Sequence, residues 1–313
     1  MAQKAPGKHY RKGMSLAEFM DRFGTEEAAH DWFVEQRWGK DGRHCPRCGS
    51  VETSVSARQF TFWCPSCKQR FSVRTGTLME ESRLSLRKWA IAIYMHMTNL
   101  KGVSSMKLHR DIGVTQKTAW FMLQRIRKAF DNDDEPPFGG PIEVDEAYMG
   151  GLRENMPKAK RKTLKGRGAV GKTVVAGAKD RATNRISAEV VARPDKRTLH
   201  RFITERAAPG AKVYTDDYVI YRDLPFDHEA VRHVDGEYVR GDAHTQGIES
   251  FWSTLKRAHK GIYHKISPKH LHRYVVDFAG RHNIREADTA DQMGALARGM
   301  VGKRLRYAEL IAA

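Results

Sequence analysis

The spacing of apolar residues predicts helices in most of the first 130 residues and strands mixed with helices after about residue 141. Residues 41–77 interrupt the helices, because Cys, Gly, Pro and β-forming residues dominate there. Residues 15–38 and 84–100 carry apolar residues at helical spacing, and acidic residues stand near the predicted helix starts of the first stretch. Residues 102–130 predict two helices around a tight turn. The next stretch, DNDDEPPFGGP (131–141), is acidic and rich in Pro and Gly, so we expect a linker and a domain boundary there.

Beyond this linker the chain alternates strand-like and helix-like segments. IEVDEAYMG, KTVVAGAKD, RISAEVVA and KVYTDD are rich in β-forming residues, whereas KRTLHRFITERAA has helical spacing. Such alternation predicts a mixed sheet covered by helices. The expected domains are N-terminal helices with a cysteine-rich segment (14–77), a helical region (78–130), the linker (131–141), an α/β domain (142–285) and a C-terminal tail (286–313).

The charge balance points to a polyanionic partner. The 313 residues include 55 Lys and Arg against 37 Asp and Glu, a formal net charge of +18. Nucleic acid is the first candidate and an anionic membrane is the rival, although a basic ribosomal or chromatin-like protein would fit the charge as well. No apolar run reaches the roughly 18–20 residues of a spanning helix, and the N-terminus lacks the apolar core of a signal peptide. We therefore expect a cytoplasmic protein without a membrane partner.

All four cysteines lie close together in the chain. Cys45 and Cys48 form one C-x2-C pair, and Cys64 and Cys67 form a second after fifteen residues. Two such turns aim four sulfur atoms at one tetrahedral ion, which is the arrangement that structural zinc prefers. Two disulfides are the alternative, which a cytoplasmic location disfavours. The spacing predicts one structural Zn²⁺ per chain, bound in a small β ribbon.

Residues 103–128 have the pattern of a helix-turn-helix. Gly113 permits the turn, and Thr115 can cap the second helix. The first residues of a recognition helix meet base edges in the major groove, whereas later basic residues hold phosphates. An ordinary helical hairpin with a solvated basic face is the alternative. The candidate DNA contacts in this motif are Gln116, Lys117, Thr118 and Arg125.

Three acids, far apart in the chain, have the types and positions of a metal site. Asp145 lies inside one predicted strand, Asp216 ends another, and Glu249 lies on a basic amphipathic helix. Carboxylates meeting at one point can hold two Mg²⁺ or Mn²⁺ ions for in-line phosphodiester chemistry. Each acid alone could instead be an ordinary surface or salt-bridged carboxylate. The rivals for these roles are Glu143, Glu146, Asp217, Asp242 and Asp277.

The helix that carries Glu249 spans residues 244–261 and has an apolar stripe of Ile248, Phe251, Trp252 and Leu255. Glu249 stands at the margin of that stripe, so a helix packed on the sheet could turn it toward the other acids. The segment 157–172, with seven Lys or Arg in sixteen residues, is expected to grip phosphates, although a solvated insertion is the alternative. The candidate phosphate contacts are Lys160, Arg161, Lys162, Lys165, Arg167, Lys256, Arg257 and Lys260.

Together these segments resemble the DDE-type insertion-sequence transposases that carry an N-terminal zinc ribbon and a retroviral-integrase-like (RNase H-like) catalytic domain. The resemblance covers nearly the whole chain, in family order. It rests on EEAAHDWFVEQRW, the cysteine pairs with FSVRTGT, GVTQKTAWFMLQRIR, EVDEAYMGG, KGRGAVGKT, YTDDY, HTQGIESFWSTLKRAHKGIYHKIS and YVVDFAGRHN. It implies that Asp145, Asp216 and Glu249 are the catalytic triad and metal ligands, and that Lys256 is the basic catalytic residue following the third acid.

The resemblance also implies a function and partners. We expect a transposase that binds double-stranded DNA at the ends of its element, cleaves it with two metal ions per site, and joins the ends to target DNA. It would act in the bacterial cytoplasm, at the nucleoid, as a homodimer or higher oligomer when two ends are paired. The alternatives are an RNase H-like nuclease or resolvase without strand transfer, and a DNA-binding regulator that is not an enzyme.

Overall fold

The computed structural model describes residues 12–39, 42–131, 135–151, 153–165, 169–231 and 244–312. The chain divides into two compact units, one made of residues 1–132 with 284–313 and the other of residues 133–283. No helix within the described ranges has the length and apolar character of a membrane span. The expected combination of a small β ribbon, a helical region and a mixed α/β sheet is confirmed.

The first unit combines helices with a three-stranded antiparallel ribbon, in the order β1-β2-β3. Its first five helices begin where hydroxyl side chains accept backbone N–H bonds, as Ser85 does from Lys88 and Ser104 from Lys107. The elements are α1 (Leu16–Arg22), α2 (Glu26–Trp38), β1 (Ser54–Val55), β2 (Phe62–Cys64), β3 (Gln69–Phe71), α3 (Leu86–Thr98), α4 (Ser105–Ile112), α5 (Gln116–Lys128), α10 (Thr289–Gly299) and α11 (Tyr307–Ile311).

The last thirty residues complete the core of this first unit. Met293 and Leu296 are buried among the aromatic and aliphatic side chains of the N-terminal helices. The Leu78 N–H donates to the Met300 carbonyl at 3.0 Å, and Thr77 forms an isolated antiparallel bridge with Val301. The segment that we expected to be a separate tail is therefore an integral part of the helical unit, because its apolar helix face is buried there.

The second unit is built on a five-stranded mixed sheet in the order β6-β5-β4-β7-β8. The central strand β4 runs antiparallel to β5 and parallel to β7, and β7 runs parallel to β8. The elements are β4 (Ile142–Met149), α6 (Lys158–Thr163), β5 (Thr173–Asp180), β6 (Ile186–Val191), α7 (Lys196–Thr204), β7 (Lys212–Asp216), β8 (Asp227–Val231), α8 (Gln246–Ala258) and α9 (Pro268–Asn283).

Alternation along β4 sends its side chains to two different cores. Ile142 and Val144 belong to the core that includes α7 residues, whereas Ala147 and Met149 belong to the core with α8 and α9. Asp145 shares the second face, because it lies two positions before Ala147 on the strand. The sheet is thus covered by helices on both sides, and the candidate acid of β4 faces α8.

Part of the expected linker is packed onto the second unit. Phe138 is 2% exposed and lies in the core that contains α7. Its N–H donates to the Arg206 carbonyl at 2.7 Å, and its carbonyl accepts the Ala208 N–H at 2.8 Å. The boundary between the units therefore falls nearer residue 132 than residue 141, because one aromatic residue fixes the later half of this segment.

A glycine allows α8 to approach the sheet closely. Gly177 on β5 pairs with Asp145 on β4. A methyl group at position 177 would lie 2.7 Å from the Trp252 Cη2 and 3.1 Å from the Ile248 Cδ1. Both contacts are shorter than van der Waals separation, so any side chain at this position would push α8 away from the sheet.

We therefore expect Gly177→Ala to lower the free energy of unfolding by about 1–3 kcal/mol, since overpacking a tight contact destabilises. Denaturant titration would measure this loss. Gly139→Ala is the matched control, because a methyl group there meets nothing within 4 Å. Equal stability of the two variants would show that α8 does not depend on this close approach.

Candidate active site and cysteine cluster

Asp145 and Asp216 stand side by side on neighbouring parallel strands. The ladder between β4 and β7 ends with the pair Glu143 and Tyr214, and Asp145 and Asp216 each lie two residues beyond that pair on their own strands. Because side chains alternate between the faces, both carboxylates share the face that α8 covers. The strand order alone thus brings together two acids separated by 71 positions in the sequence.

Glu249 reaches the same face from the first turn of α8. Ile248 and Leu255 are fully buried, and Phe251 and Trp252 nearly so, which confirms the apolar stripe that seats this helix on the sheet. Glu249 is half-buried at the margin of the stripe. The Thr245 hydroxyl donates to the Glu249 Oε1 at 2.8 Å and orients its carboxylate.

The electrostatics of Asp145 show that the three acids are neighbours. The pKa of Asp145 is raised to about 6, chiefly by burial and in addition by the negative charges of Asp216 and Glu249. The backbone N–H of Glu146 and the indole of Trp252 act in the opposite direction. Among the described residues, however, these three carboxylates do not form a group in which one oxygen from each lies within 4.8 Å of the others. The site is therefore a group of mutually repelling acids rather than a closed cluster.

Glu146, the acid next to Asp145, has a different environment. Its carboxylate accepts a hydrogen bond from the Tyr221 hydroxyl, which is fully buried. The pKa of Glu146 is raised to about 7, chiefly by burial. The hydrogen bond from Tyr221 opposes this rise, and the charges of Asp145 and Asp216 add to it. Glu146 lies on the α7 face of β4, so alternation separates it from Glu249.

Three of the other rival acids are bound elsewhere or exposed. Glu143 is 1% exposed and forms a salt bridge with Arg181 at 2.8 Å. Asp277 is fully buried and forms a salt bridge with Arg281, four residues later on α9, at 3.2 Å. Asp217 is exposed just after the end of β7. The remaining rival, Asp242, lies outside the described residues.

The four cysteines form a compact group in the first unit. The sulfur atoms of Cys45 and Cys67 are 3.7 Å apart and those of Cys48 and Cys64 are 3.6 Å apart. Sulfur atoms around a tetrahedral zinc ion, with bonds of about 2.3 Å, lie roughly 3.8 Å from one another. Donor type, number and spacing all fit a structural Zn²⁺.

The predicted helix-turn-helix corresponds to α4 and α5, joined by Gly113 in the left-handed region at φ 61°. Gln116 and Lys117 are exposed and Thr118 is half-buried at the start of α5. Arg125 is different. It is 8% exposed, donates to the Leu305 carbonyl at 3.3 Å and packs over the Phe121 ring at 4.1 Å.

The assignment of Arg125 as a phosphate contact is therefore corrected. Its guanidinium is held inside the first unit by the C-terminal segment, which the helical spacing of α5 alone could not reveal. Arg127, two residues later on α5, is also buried, at 1% exposure. Arg125 and Arg127 are thus part of the interior of the first unit and are not on its surface.

The basic residues of the second unit are mostly on the surface. The segment expected to be a loop contains a short helix, α6, and Arg161, Lys162 and Lys165 are exposed there. Lys256, Arg257 and Lys260 are exposed toward the end of α8 and in the following π turn. Arg167 and the side chain of Lys160 lie outside the described residues.

Comparison with known proteins agrees with this arrangement. Residues 137–283 match the ISXO2-like transposase domain, and residues 24–70 match the transposase zinc-ribbon domain. The chain is also 32% identical, over 257 residues, to an uncharacterized protein in transposable element ISH50 of Halobacterium salinarum; the match covers 77% of this chain and 86% of that one. This chain belongs to the ISXO2-like transposase family. The zinc ribbon and the RNase H-like layout expected for the transposase are confirmed.

Sequence reasoning did not assign roles to two groups beside the acids of the transposase. Glu143 was weighed only as a rival ligand, and its partner Arg181 was not considered. The pairing of Tyr221 with Glu146 was also missed. For Glu143 a signal was present, because a strand that buries an acid must supply a partner for it, but the partner lies 38 positions away.

We expect the purified transposase to contain one zinc ion per chain and Cys64→Ser to lose it, because removing one thiolate opens the four-sulfur site. Elemental analysis of the purified chains would measure the zinc content. Ser66→Ala is the matched control, since Ser66 lies between Cys64 and Cys67 and its hydroxyl donates to the Ser50 hydroxyl at 2.9 Å. Wild-type protein without zinc would contradict the assignment.

We also expect Asp145→Asn to stabilise the zinc-loaded protein at pH 7.5 when no other divalent cation is added. The pKa of about 6 in the folded chain exceeds the ordinary 3.8, so the folded state loses stability as the pH rises from about 4 to 6. Removing the charge should restore about 2 kcal/mol at pH 7.5 and nothing near pH 4. Denaturant titration at both values would measure this.

Asp223→Asn serves as the control for this comparison. The Lys196 ammonium, 2.7 Å away, lowers the pKa of the exposed Asp223. This variant should therefore gain no stability at pH 7.5. A loss of stability in Asp145→Asn at pH 7.5 would show that the charge of Asp145 does not destabilise the folded state.

Proposed function

We propose that this transposase binds the ends of its insertion sequence, cleaves the DNA there and joins it to target DNA, with Asp145, Asp216 and Glu249 as the catalytic acids. The observation that carries this proposal is the register of β4 and β7. It aligns two carboxylates on one face, and α8 adds a third from above. Three half-buried acids that repel one another destabilise the fold, so their placement together favours a functional role.

The residues fit a pair of divalent cations. Carboxylate oxygens are hard donors, which suit Mg²⁺ or Mn²⁺. The raised pKa of Asp145 reflects burial and like charges, and cations would offset both. When bound, two such ions supply an activated oxygen nucleophile and steady the leaving oxygen of an in-line displacement. Because water and a DNA 3′-OH are both oxygen nucleophiles, one site can serve cleavage and joining.

The side chains of this protein would hold the metal ions and position the DNA. In our proposal Asp145, Asp216 and Glu249 would together hold the two ions. The Thr245 hydroxyl keeps the Glu249 carboxylate turned in one direction. Lys256 is exposed two turns further along α8. It would contact a DNA phosphate beside the reacting one, since seven residues return it to nearly the same side of the helix.

Exposed basic and polar residues support DNA binding by both units. Gln116, Lys117 and Thr118 at the start of α5 would read bases at the element's ends. The exposed cations of α6 and α8 would hold phosphates nearer the chemistry. We propose two or more copies when two ends are paired, and action in the cytoplasm, where the element's DNA is replicated and joined.

Two other functions would use the same features differently. An RNase H-like nuclease or resolvase would share the acids and metals but would release nicked DNA without joining it. A regulator that only binds DNA would need the first unit and not the acids. The family membership and the alignment of Asp145 with Asp216 favour the transposase.

We expect the wild-type protein with Mg²⁺ to join oligonucleotides carrying its own element ends to a target duplex. Asp145→Ala, Asp216→Ala and Glu249→Gln should each lower the joining rate by at least about a hundredfold, because each removes a metal ligand. Binding to the end sequence should persist. Gel analysis of labelled ends would separate joined products from nicked ones.

Asp223→Asn is the control, since this carboxylate is exposed and paired with Lys196, and it should keep wild-type joining. Nicked products without joined ones would favour the nuclease. Full activity of all three acid variants would refute the catalytic assignment. Full end binding with no cleavage by the wild type would favour the regulator.

A further inference from the structure

Glu143 lies two residues before Asp145, on the same face of β4, and the proposed catalytic role does not use it. We propose that Glu143 is a positioning residue that fixes the first turn of α8 and thereby holds Glu249 in place beside Asp145. The inference rests on the proposed function, because it assigns Glu143 a part in building that metal site. It stands on the contacts of one carboxylate.

The two oxygens of Glu143 join three separate parts of the second unit. Oε2 accepts the backbone N–H of Ile248, in the first turn of α8, at 2.9 Å. Oε1 accepts from the Nε of Arg181, just beyond β5, at 2.8 Å. The Nδ1 of His244, immediately before α8, lies 3.4 Å from the same oxygen. A side chain only 1% exposed thus ties the central strand to the start of the helix.

Arg181 is itself held from two sides. Its guanidinium lies over the Tyr214 ring, 4.3 Å from the centroid, and donates to the His244 carbonyl at 2.5 Å. Tyr214 is the residue that pairs with Glu143 across the β4–β7 ladder. The arginine therefore neutralises Glu143 and also grips the chain that leads into α8. The contacts of Arg181 with Glu143 and with the His244 carbonyl therefore fix the N-terminal end of α8 and not its later turns.

The first turn of α8 needs this outside acceptor. Thr245, the residue that caps the helix, makes no side-chain hydrogen bond to the N–H groups of the first turn. Its hydroxyl donates instead to the carboxylate of Glu249. Glu143 replaces the usual capping side chain by accepting the Ile248 N–H, and a carboxylate at a helix N-terminus is favourable. Thr245 is thereby left to orient Glu249.

Gly247 makes this close approach possible. A methyl group at position 247 would lie 2.7 Å from the Glu143 Oε2 and 2.8 Å from the Lys179 Cδ. Any side chain there would press on the carboxylate that fixes the turn. Alanine is otherwise the better helix former by about 1 kcal/mol. Helix propensity and positioning therefore predict opposite effects of Gly247→Ala.

The same contacts argue against Glu143 as a further metal ligand. Both of its oxygens already accept hydrogen bonds, Oε2 from an amide and Oε1 from a guanidinium. A residue that acts through a ligand in this way typically changes metal affinity or activity by about 10–100-fold when it is replaced. We therefore expect its loss to weaken metal binding at Glu249 and to leave the other contacts with DNA alone.

The test uses the full-length, zinc-loaded protein and the variants Glu143→Gln and Gly247→Ala. Mn²⁺ affinity would be measured by electron paramagnetic resonance, and the joining rate by single-turnover assay at saturating end DNA. Both variants should bind Mn²⁺ about tenfold more weakly and join DNA at least about tenfold more slowly. Their affinity for end DNA should stay within about twofold of wild type.

Asp180→Asn is the matched control. Asp180 is also a 1% exposed carboxylate, on the strand next to β4, and it pairs with Ile142. Its oxygens accept from the Ala182 N–H at 2.9 Å and the Thr183 hydroxyl at 2.8 Å, within a tight turn. This variant should lose thermal stability but keep wild-type Mn²⁺ affinity. It separates a general effect of removing a buried charge from an effect on α8.

The outcomes separate the inference from the function on which it rests. If the wild type binds Mn²⁺ and joins DNA but Glu143→Gln and Gly247→Ala match it, the positioning role is wrong and the function stands. If the wild type neither binds Mn²⁺ nor joins DNA, the proposed function is wrong. If Glu143→Gln does not fold, Gly247→Ala decides, and wild-type Mn²⁺ affinity in that variant overturns the inference.

Discussion

Repulsion among carboxylates on the sheet is the interaction around which the second unit is organised. Asp145 and Asp216 are aligned by the β4–β7 register, and Glu249 is delivered by α8. Burial and like charge raise the pKa of Asp145, which means that the fold alone holds these groups at a cost. Such strain persists only where the surrounding packing determines it. Here the apolar stripe of α8, seated against Gly177, supplies that packing.

The cations of the chain are divided between the surface and the interior. The net charge of +18 suggests one large basic surface. In the first unit, however, Arg125 and Arg127 are buried, and Arg125 ties α5 to the C-terminal segment through the Leu305 carbonyl. In the second, Arg181 neutralises Glu143. The charge count thus predicted a polyanionic partner, but only exposure distinguishes the cations that can reach phosphates from those that stabilise the fold.

Much of the fold and site could be predicted because their signals are local in the sequence. The C-x2-C pairs, the stripe of α8 and the hydroxyl caps each require only a few neighbouring residues. Three features could not be predicted in this way, since each depends on contacts between distant segments. They are the burial of the C-terminal segment, the packing of Phe138 and the role of Arg125. Phe138, for example, pairs with backbone groups about 70 positions later. The register of β4 and β7 could be predicted only in part, because the alignment of two strands can be worked out only once it is known that they are neighbours in the sheet.

The acids of β4 show why a motif alone does not define a site. Glu143, Asp145 and Glu146 lie within four residues, yet alternation and neighbours give each a different environment. Asp145 faces other acids, Glu146 faces a tyrosine on the opposite side, and Glu143 faces an arginine and a helix N-terminus. The position of Glu249 follows from Gly177, Gly247 and Glu143, none of which is a proposed ligand. A relative could therefore keep all three catalytic acids and lose the site through a change at one of these supporting positions.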